Sequence, residues 1–158
     1  MPAGRLREFP SAASRADIVL LTNGDDTSPL DARTFRVRRR ILGCFGSDGA
    51  ARPAPARAFL LAGIARPERF EADVRSTGAD VVGRRFFPDH HAFTPREAGA
   101  AADAARLAEA DALVTTAKDA VRLPEVPFPL LVFRIAAEIG DEERFRERLL
   151  AVARLGRA

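Results

Sequence analysis

From residue 58 onward the chain is paced by four short apolar runs: Ala58-Phe59-Leu60-Leu61-Ala62-Gly63, residues 80–87, Asp111-Ala112-Leu113-Val114-Thr115-Thr116, and residues 130–135. Runs this short, set between turn and helix signals, are what strands covered on both faces look like. Helical patterns separate them. Pro67 opens one whose Phe70 and Val74 share a face, and Gly78 stands where a helix C′ residue belongs. Thr94-Pro95-Arg96-Glu97 reads as a capping box with proline at the first helical position, and it starts an alanine-rich helix over 95–110. A last helix over 141–154 places Phe145, Leu149 and Val152 on one face, which is expected to be buried. Strands alternating with helices predict an α/β fold with a mainly parallel sheet built from βαβ crossovers.

Before residue 58 the pattern is weaker. Residues 1–16 carry Pro2, Gly4 and Pro10 without periodicity and are expected to form an N-terminal arm, followed by one α/β domain over 17–158. Residues 17–22 read as a short buried strand, broken by Asn23-Gly24-Asp25-Asp26, where a polar turn explains the adjacent aspartates better than a metal site. Residues 34–40 alternate weakly, as a strand with one exposed face does. Residues 43–57 are rich in Gly, Ala and Pro and are expected to form a mobile loop.

Composition narrows the function classes. Cys44 is the only cysteine, so neither an internal disulfide nor a cysteine-rich zinc site can form, and the residue reads as a small apolar side chain. No apolar run approaches the roughly eighteen residues of a membrane span, and no signal-peptide pattern opens the sequence, so a cytoplasmic protein is expected. The net charge is only +3. Arg38-Arg39-Arg40 lacks interleaved aromatics in a chain without Trp or Tyr, which argues against nucleic-acid binding. Lys118 is the only lysine among 25 basic residues.

Both histidines lie in Phe86-Phe87-Pro88-Asp89-His90-His91-Ala92-Phe93, between a strand end and the capping box. A parallel sheet brings the chain after Gly63, the loop at His90 and the segment at Lys118 to one edge, where ligands of α/β proteins bind. An imidazole titrates near neutrality and suits proton transfer. Spacing alone leaves two readings open for each histidine, catalysis or packing, and His91 beside Ala92 and Phe93 leans toward packing. Asp89 serves equally as a partner or as a loop cap. No H-x-x-H, H-E-x-x-H or cysteine cluster is present, so no metal site is expected. Lys118-Asp119 suits either a nucleotide contact or a surface ion pair. A phosphate-cradling G-x-x-x-x-G-K-[ST] loop, which would settle a nucleotide role, is missing.

Four segments, in order, resemble one family. Pro2-Ala3-Gly4-Arg5-Leu6-Arg7-Glu8 is similar to its P-A-G-P-L-R-E, and Ala62-Gly63-Ile64-Ala65-Arg66-Pro67-Glu68-Arg69-Phe70 to its A-G-I-G-N-P-x-R-F. Phe87-Pro88-Asp89-His90-His91-Ala92-Phe93 resembles F-P-D-H-H-x-F, and Val114-Thr115-Thr116-Ala117-Lys118-Asp119-Ala120-Val121-Arg122-Leu123 resembles V-T-T-E-K-D-A-V-R-L. The family is tetraacyldisaccharide 4′-kinase, of lipid A biosynthesis.

The resemblance implies a P-loop-kinase-like fold of which this is the C-terminal part. It also implies transfer of phosphoryl from ATP, with Mg²⁺, to the 4′-hydroxyl of a lipid A disaccharide precursor at the cytoplasmic face of the inner membrane. Motif position assigns the family's catalytic histidine to His90, with Asp89 beside it and His91 the weaker candidate. Thr116, Lys118 and Asp119 become candidates for a nucleotide or hinge contact. The family's P-loop, acidic metal motif, partner aspartate and membrane-associating region would all lie upstream of Met1, so the 158-residue chain is expected to be inactive by itself. Ala65-Arg66 replaces the family's Gly-Asn, and Ala117 replaces its Glu. Three readings follow: the C-terminal part of a truncated kinase, a chain that completes a split kinase with a separate P-loop-bearing partner, or a non-catalytic remnant.

Overall fold

A computed structural model describes residues 10–22 and 31–155. The chain divides into two compact units, Met1–Arg40 with Ala137–Ala158, and Ile41–Ala136. One unit is thus assembled from both chain ends and the other from the middle.

The middle unit is organised around β4 (Arg57–Gly63). Ala58, Leu60, Leu61 and Ala62 are all completely buried, because the strand is sandwiched on both faces. It pairs in parallel with β5 (Asp80–Phe87) on one side and β6 (Ala112–Thr116) on the other, and β6 pairs in parallel with β7 (Leu130–Ile139). The mainly parallel α/β sheet is as expected. Successive β4 residues point to opposite faces. Ala58, Leu60 and Ala62 pack with Phe70 and Val74 of α1 (Pro67–Ser76), while Phe59 and Leu61 pack with Ala101, Ala102 and Ala105 of α2 (Pro95–Leu107). Gly78 does take the left-handed conformation past the end of α1, with φ +89°. Where β4 meets β5 the register slips between Ala58 and Phe59, and Phe59 lies over Gly83: a Cβ there would sit 2.5 Å from the ring.

Residues 43–57, expected as a mobile loop, instead contain a hairpin. β2 (Thr34–Phe45) runs on past Arg40, and Cys44 and Phe45 pair antiparallel with β3 (Ala51–Arg52). Gly46 N–H donates to Ala50 C=O at 2.9 Å, and Gly49 turns the chain at φ +77°. The glycines that signalled a loop are the hairpin's turn residues and a left-handed Gly43 within the strand.

In the unit of chain ends, a 3₁₀ turn (Pro10–Arg15) leads to β1 (Val19–Leu21), which pairs in parallel with the start of β2. Helix α4 (Glu142–Leu155) sets Phe145 edge-on to the fully buried Phe35, with ring centroids 5.2 Å apart. Phe145 and Val152 are only half-buried and Leu149 is 47% exposed, which corrects the expected buried face. Arginines make the contacts instead: Arg144 stacks over Phe35 and donates to Thr34 C=O, and Arg148 donates to Asp17 C=O. The Asn23-Gly24-Asp25-Asp26 turn and the Pro2–Glu8 motif fall outside the described residues.

Candidate functional site

Because β4, β5 and β6 are parallel, their C-terminal ends share one edge of the middle unit, with Gly63 opposite Phe87 in the β4–β5 register. Beyond β5, Pro88 C=O accepts from His91 N–H at 3.2 Å, closing a tight turn. His90 sits in that turn at φ +63°, a left-handed conformation that a non-glycine residue holds only when its surroundings enforce it.

The two histidines take different roles. His91 stacks on Phe87 with centroids 4.3 Å apart and meets Phe93 edge-on. Its Nε2 lies 3.1 Å from Glu97 Oε2. An ionised carboxylate only accepts, so Nε2 must carry the proton and donate. Glu97 Oε2 also accepts from Thr94 N–H and Oγ1–H, each at 2.9 Å, while Thr94 Oγ1 accepts from Glu97 N–H. The capping box of α2 is thus present as read, and it doubles as the anchor of His91. The Thr94 amide, the His91 ring and the Thr94 hydroxyl together pull Glu97 down to about 2. His90, by contrast, presents a side chain 76% exposed against 25% for His91. Its Nε2 is 3.6 Å from Asp89 Oδ2, beyond hydrogen-bond reach.

Asp89 is held from two sides. Its Oδ1 accepts from His90 N–H at 3.0 Å and from Lys118 Nζ at 2.6 Å. The Lys118 hydrogen bond chiefly, with the nearby positive charge, holds its carboxyl below the usual carboxylate range. Lys118 belongs to the short α3 (Ala117–Ala120), whose N-cap is Thr116. Next to it, Asp119 is completely buried. Its Oδ2 accepts from Gly63 N–H and from Thr116 Oγ1–H, both at 2.9 Å, and Arg122 pairs with its Oδ1.

The structure therefore brings Asp89, His90, His91, Thr116, Lys118 and Asp119 to one edge of the sheet. Sequence reasoning missed Glu97 as the partner of His91, and Asp119 as a buried tether rather than a surface charge. The second had a signal, since Thr116-x-x-Asp119 is itself a capping signature. Among the described residues no group of three His, Cys, Asp or Glu side chains is placed to hold a metal ion. A cavity of about 480 Å³ opens between the β2–β3 hairpin and the starts of β6 and β7; Asp48, Arg52 and Asp111 line it, and neither histidine does.

Comparison with known proteins gives a consistent match. The family model for tetraacyldisaccharide-1-P 4′-kinase matches residues 1–154. A tetraacyldisaccharide 4′-kinase of Methylorubrum extorquens is 38% identical over 161 aligned residues, covering 95% of this chain and 47% of that protein. Another, from an Anaeromyxobacter species, is 56% identical over 104 residues, covering 63% of this chain and 28% of its own length. The chain thus spans about half the length of the first of these relatives and less of the second. A solved structure of LpxK from Aquifex aeolicus, an "apo" form in complex with ATP, superimposes with a TM-score of 0.65 over 96% of this chain and 47% of its own. At 21% identity that likeness is one of fold.

Proposed function

The chain belongs to the tetraacyldisaccharide-1-P 4′-kinase family, and from that premise we propose that it supplies the histidine-bearing part of a phosphoryl-transfer enzyme. The reaction is transfer from ATP to the 4′-hydroxyl of tetraacyldisaccharide 1-phosphate in lipid A biosynthesis. The observation that carries the reading is the division between the adjacent histidines. His91 is committed through Nε2 to Glu97 and through its face to Phe87, whereas His90 is exposed at the shared loop edge. In this reading His90 takes the hydroxyl proton as the sugar oxygen attacks phosphorus, and the ionised Asp89 offsets the imidazolium that forms.

ATP phosphates and Mg²⁺ need donors of another kind. The sequence contains no G-x-x-x-x-G-K-[ST] loop, and the described residues contain no metal-fit cluster. These residues do not fit either group. We place both on a P-loop-bearing half outside this sequence, on the same polypeptide or on a separate chain. No helix among the described residues is long and apolar enough to cross a membrane. In this reading the enzyme acts at the cytoplasmic face of the inner membrane, where its acylated substrate lies.

The test is complementation. The chain is co-expressed with the P-loop half of the Methylorubrum extorquens kinase, and ATP-dependent phosphorylation of tetraacyldisaccharide 1-phosphate is measured. Turnover by the pair and none by the chain alone is expected. A pair that co-purifies yet stays inactive would favour the third reading, a non-catalytic remnant or binding domain in which Ala65-Arg66 and Ala117 have drifted from the family pattern.

A further inference from the structure

We infer that the segment from Thr116 to Arg122 is a positioning clamp for the histidine loop, with Lys118 and Asp119 as its two arms. The inference rests on the reading of His90 as the base, but its geometry is independent of that reading. Neighbouring residues on a helical turn diverge by about 100°, so a single turn can aim one charged side chain outward and the next inward. Here the Lys118 side chain is 45% exposed and reaches Asp89, while Asp119 is completely buried and reaches Gly63. One arm meets the loop at Asp89, and the other meets Gly63 at the end of β4.

The outer arm fixes the backbone of the base. Asp89 Oδ1 accepts simultaneously from Lys118 Nζ and from the amide of His90, so the lysine holds the acceptor that holds the left-handed residue. The inner arm fixes the floor. Asp119 Oδ2 anchors Gly63 N–H at the end of β4, and a Cβ built on Gly63 would lie 3.3 Å from His91 Cβ, Phe93 Cζ and Pro88 C=O alike. The loop is thus packed directly onto the residue that Asp119 tethers. Thr116 and Arg122 take up the remaining capacity of the Asp119 carboxylate, which explains how such a group is tolerated in a fully buried place. Lys118 Nζ reaches Asp89 at 2.6 Å, so at least one of its three donors serves the histidine loop.

The experiment is carried out on the 158-residue chain, labelled with ¹³C and ¹⁵N, with no requirement for turnover. Lys118→Met should raise the titration midpoint of the Asp89 carboxyl and shift the amide resonances of Asp89, His90 and His91. The resonances of Leu60 and Val114 and the unfolding midpoint should stay where they were. Lys118→Arg should restore much of the effect. A lysine that merely pairs with Asp89 at the surface would move the Asp89 titration but leave the His90 and His91 amides where they were. Unchanged loop amides, whatever the Asp89 midpoint does, overturn the proposal. So does ATP added to the wild-type chain if it shifts the Lys118 side-chain signal and releases Asp89. Asp119→Asn extends the test to the inner arm through the Gly63 amide; should that variant fail to fold, the Lys118 variants still decide the outcome. Inactivity of the complemented pair would count against the kinase reading and leave these results standing.

Discussion

Lys118 Nζ and Asp89 Oδ1 lie 2.6 Å apart, joining residues 29 positions apart in the chain across the ends of β5 and β6. An exposed ion pair of this kind adds little to stability, typically about 0–1 kcal/mol. What the contact changes is the geometry of the turn, because the same oxygen accepts the His90 amide. Removing the lysine should therefore alter how His90 is held far more than whether the protein folds.

The division between the histidines gives a kinetic prediction. In the complemented enzyme, His90→Ala is expected to lower kcat by roughly 10²–10⁴-fold, the usual contribution of a general base. His91→Ala should leave the proton-transfer step in place and act through loop packing, since it removes the stack on Phe87 and the bond to Glu97. Its kcat loss should be smaller, and its melting temperature should fall more than that of His90→Ala. Equal kcat losses from the two variants would show that the pair cannot be divided in this way.

Glu97 gives a pH prediction. Its folded pKa lies at about 2, below the ordinary glutamate value, through the Thr94 amide, the His91 ring and the Thr94 hydroxyl. A depressed carboxylate contributes stability that is complete above the unfolded pKa of about 4.3. That contribution is lost as pH falls from there toward 2. Melting temperatures between pH 6 and pH 2.5 should therefore drop more steeply for the wild type than for Glu97→Gln, with the two curves converging at the acid end. Parallel curves would mean that the carboxylate is not held as described. Thr94→Ala, which removes the N-cap hydroxyl, should cost about 0.5–2 kcal/mol at neutral pH.

Local chemistry is what made parts of this structure legible in advance. β5 spans 80–87 as read, and Thr94 and Gly78 cap their helices as read, because each signal depends on residues within a few positions. The readings that failed depend on distant partners. Leu149 follows the helical period, yet within its unit the arginine guanidinium groups of α4 make the contacts with Phe35, Thr34 and Asp17. Thr116-x-x-Asp119 signalled a local cap but not burial, since charged residues are almost never fully buried unless paired, and the partner Gly63 is 56 residues away. Gly43 looked like the start of a loop and is a left-handed residue inside β2. The shared edge of His90 and Lys118 was readable from strand order, but the bond between Lys118 and Asp89 was not.

Cys44 gives a test of the middle unit's core. It is 2% exposed, packs with Leu60, Val74 and Phe133, and burial pushes its thiol above the ordinary value. Reaction with a thiol reagent at pH 8 should be at least about 100-fold slower in the folded chain than in denaturant, because it requires an opening of the packed unit. Rapid modification without denaturant would place Cys44 outside the core.

Gly83 tests why β5 carries a glycine in mid-strand. A Cβ at this position would lie 2.5 Å from Phe59 Cε2 and 2.6 Å from Cδ2. Phe59 is a buried ring packed with Ala101, Ala102, Ala105 and Leu113, so it has no free space into which to swing. Gly83→Ala should therefore destabilise by about 1–3 kcal/mol, the usual cost of overpacking, despite the intrinsic advantage of alanine over glycine in a strand. Phe59→Leu alone should cost through lost packing against α2. In the double variant the smaller side chain should relieve the clash, so the two losses should combine to less than their sum by more than about 0.5 kcal/mol. Denaturant unfolding of the four proteins of that cycle measures the coupling directly. A sum that is simply additive would mean that the ring and the glycine do not constrain each other, and that the register slip between Ala58 and Phe59 has another cause.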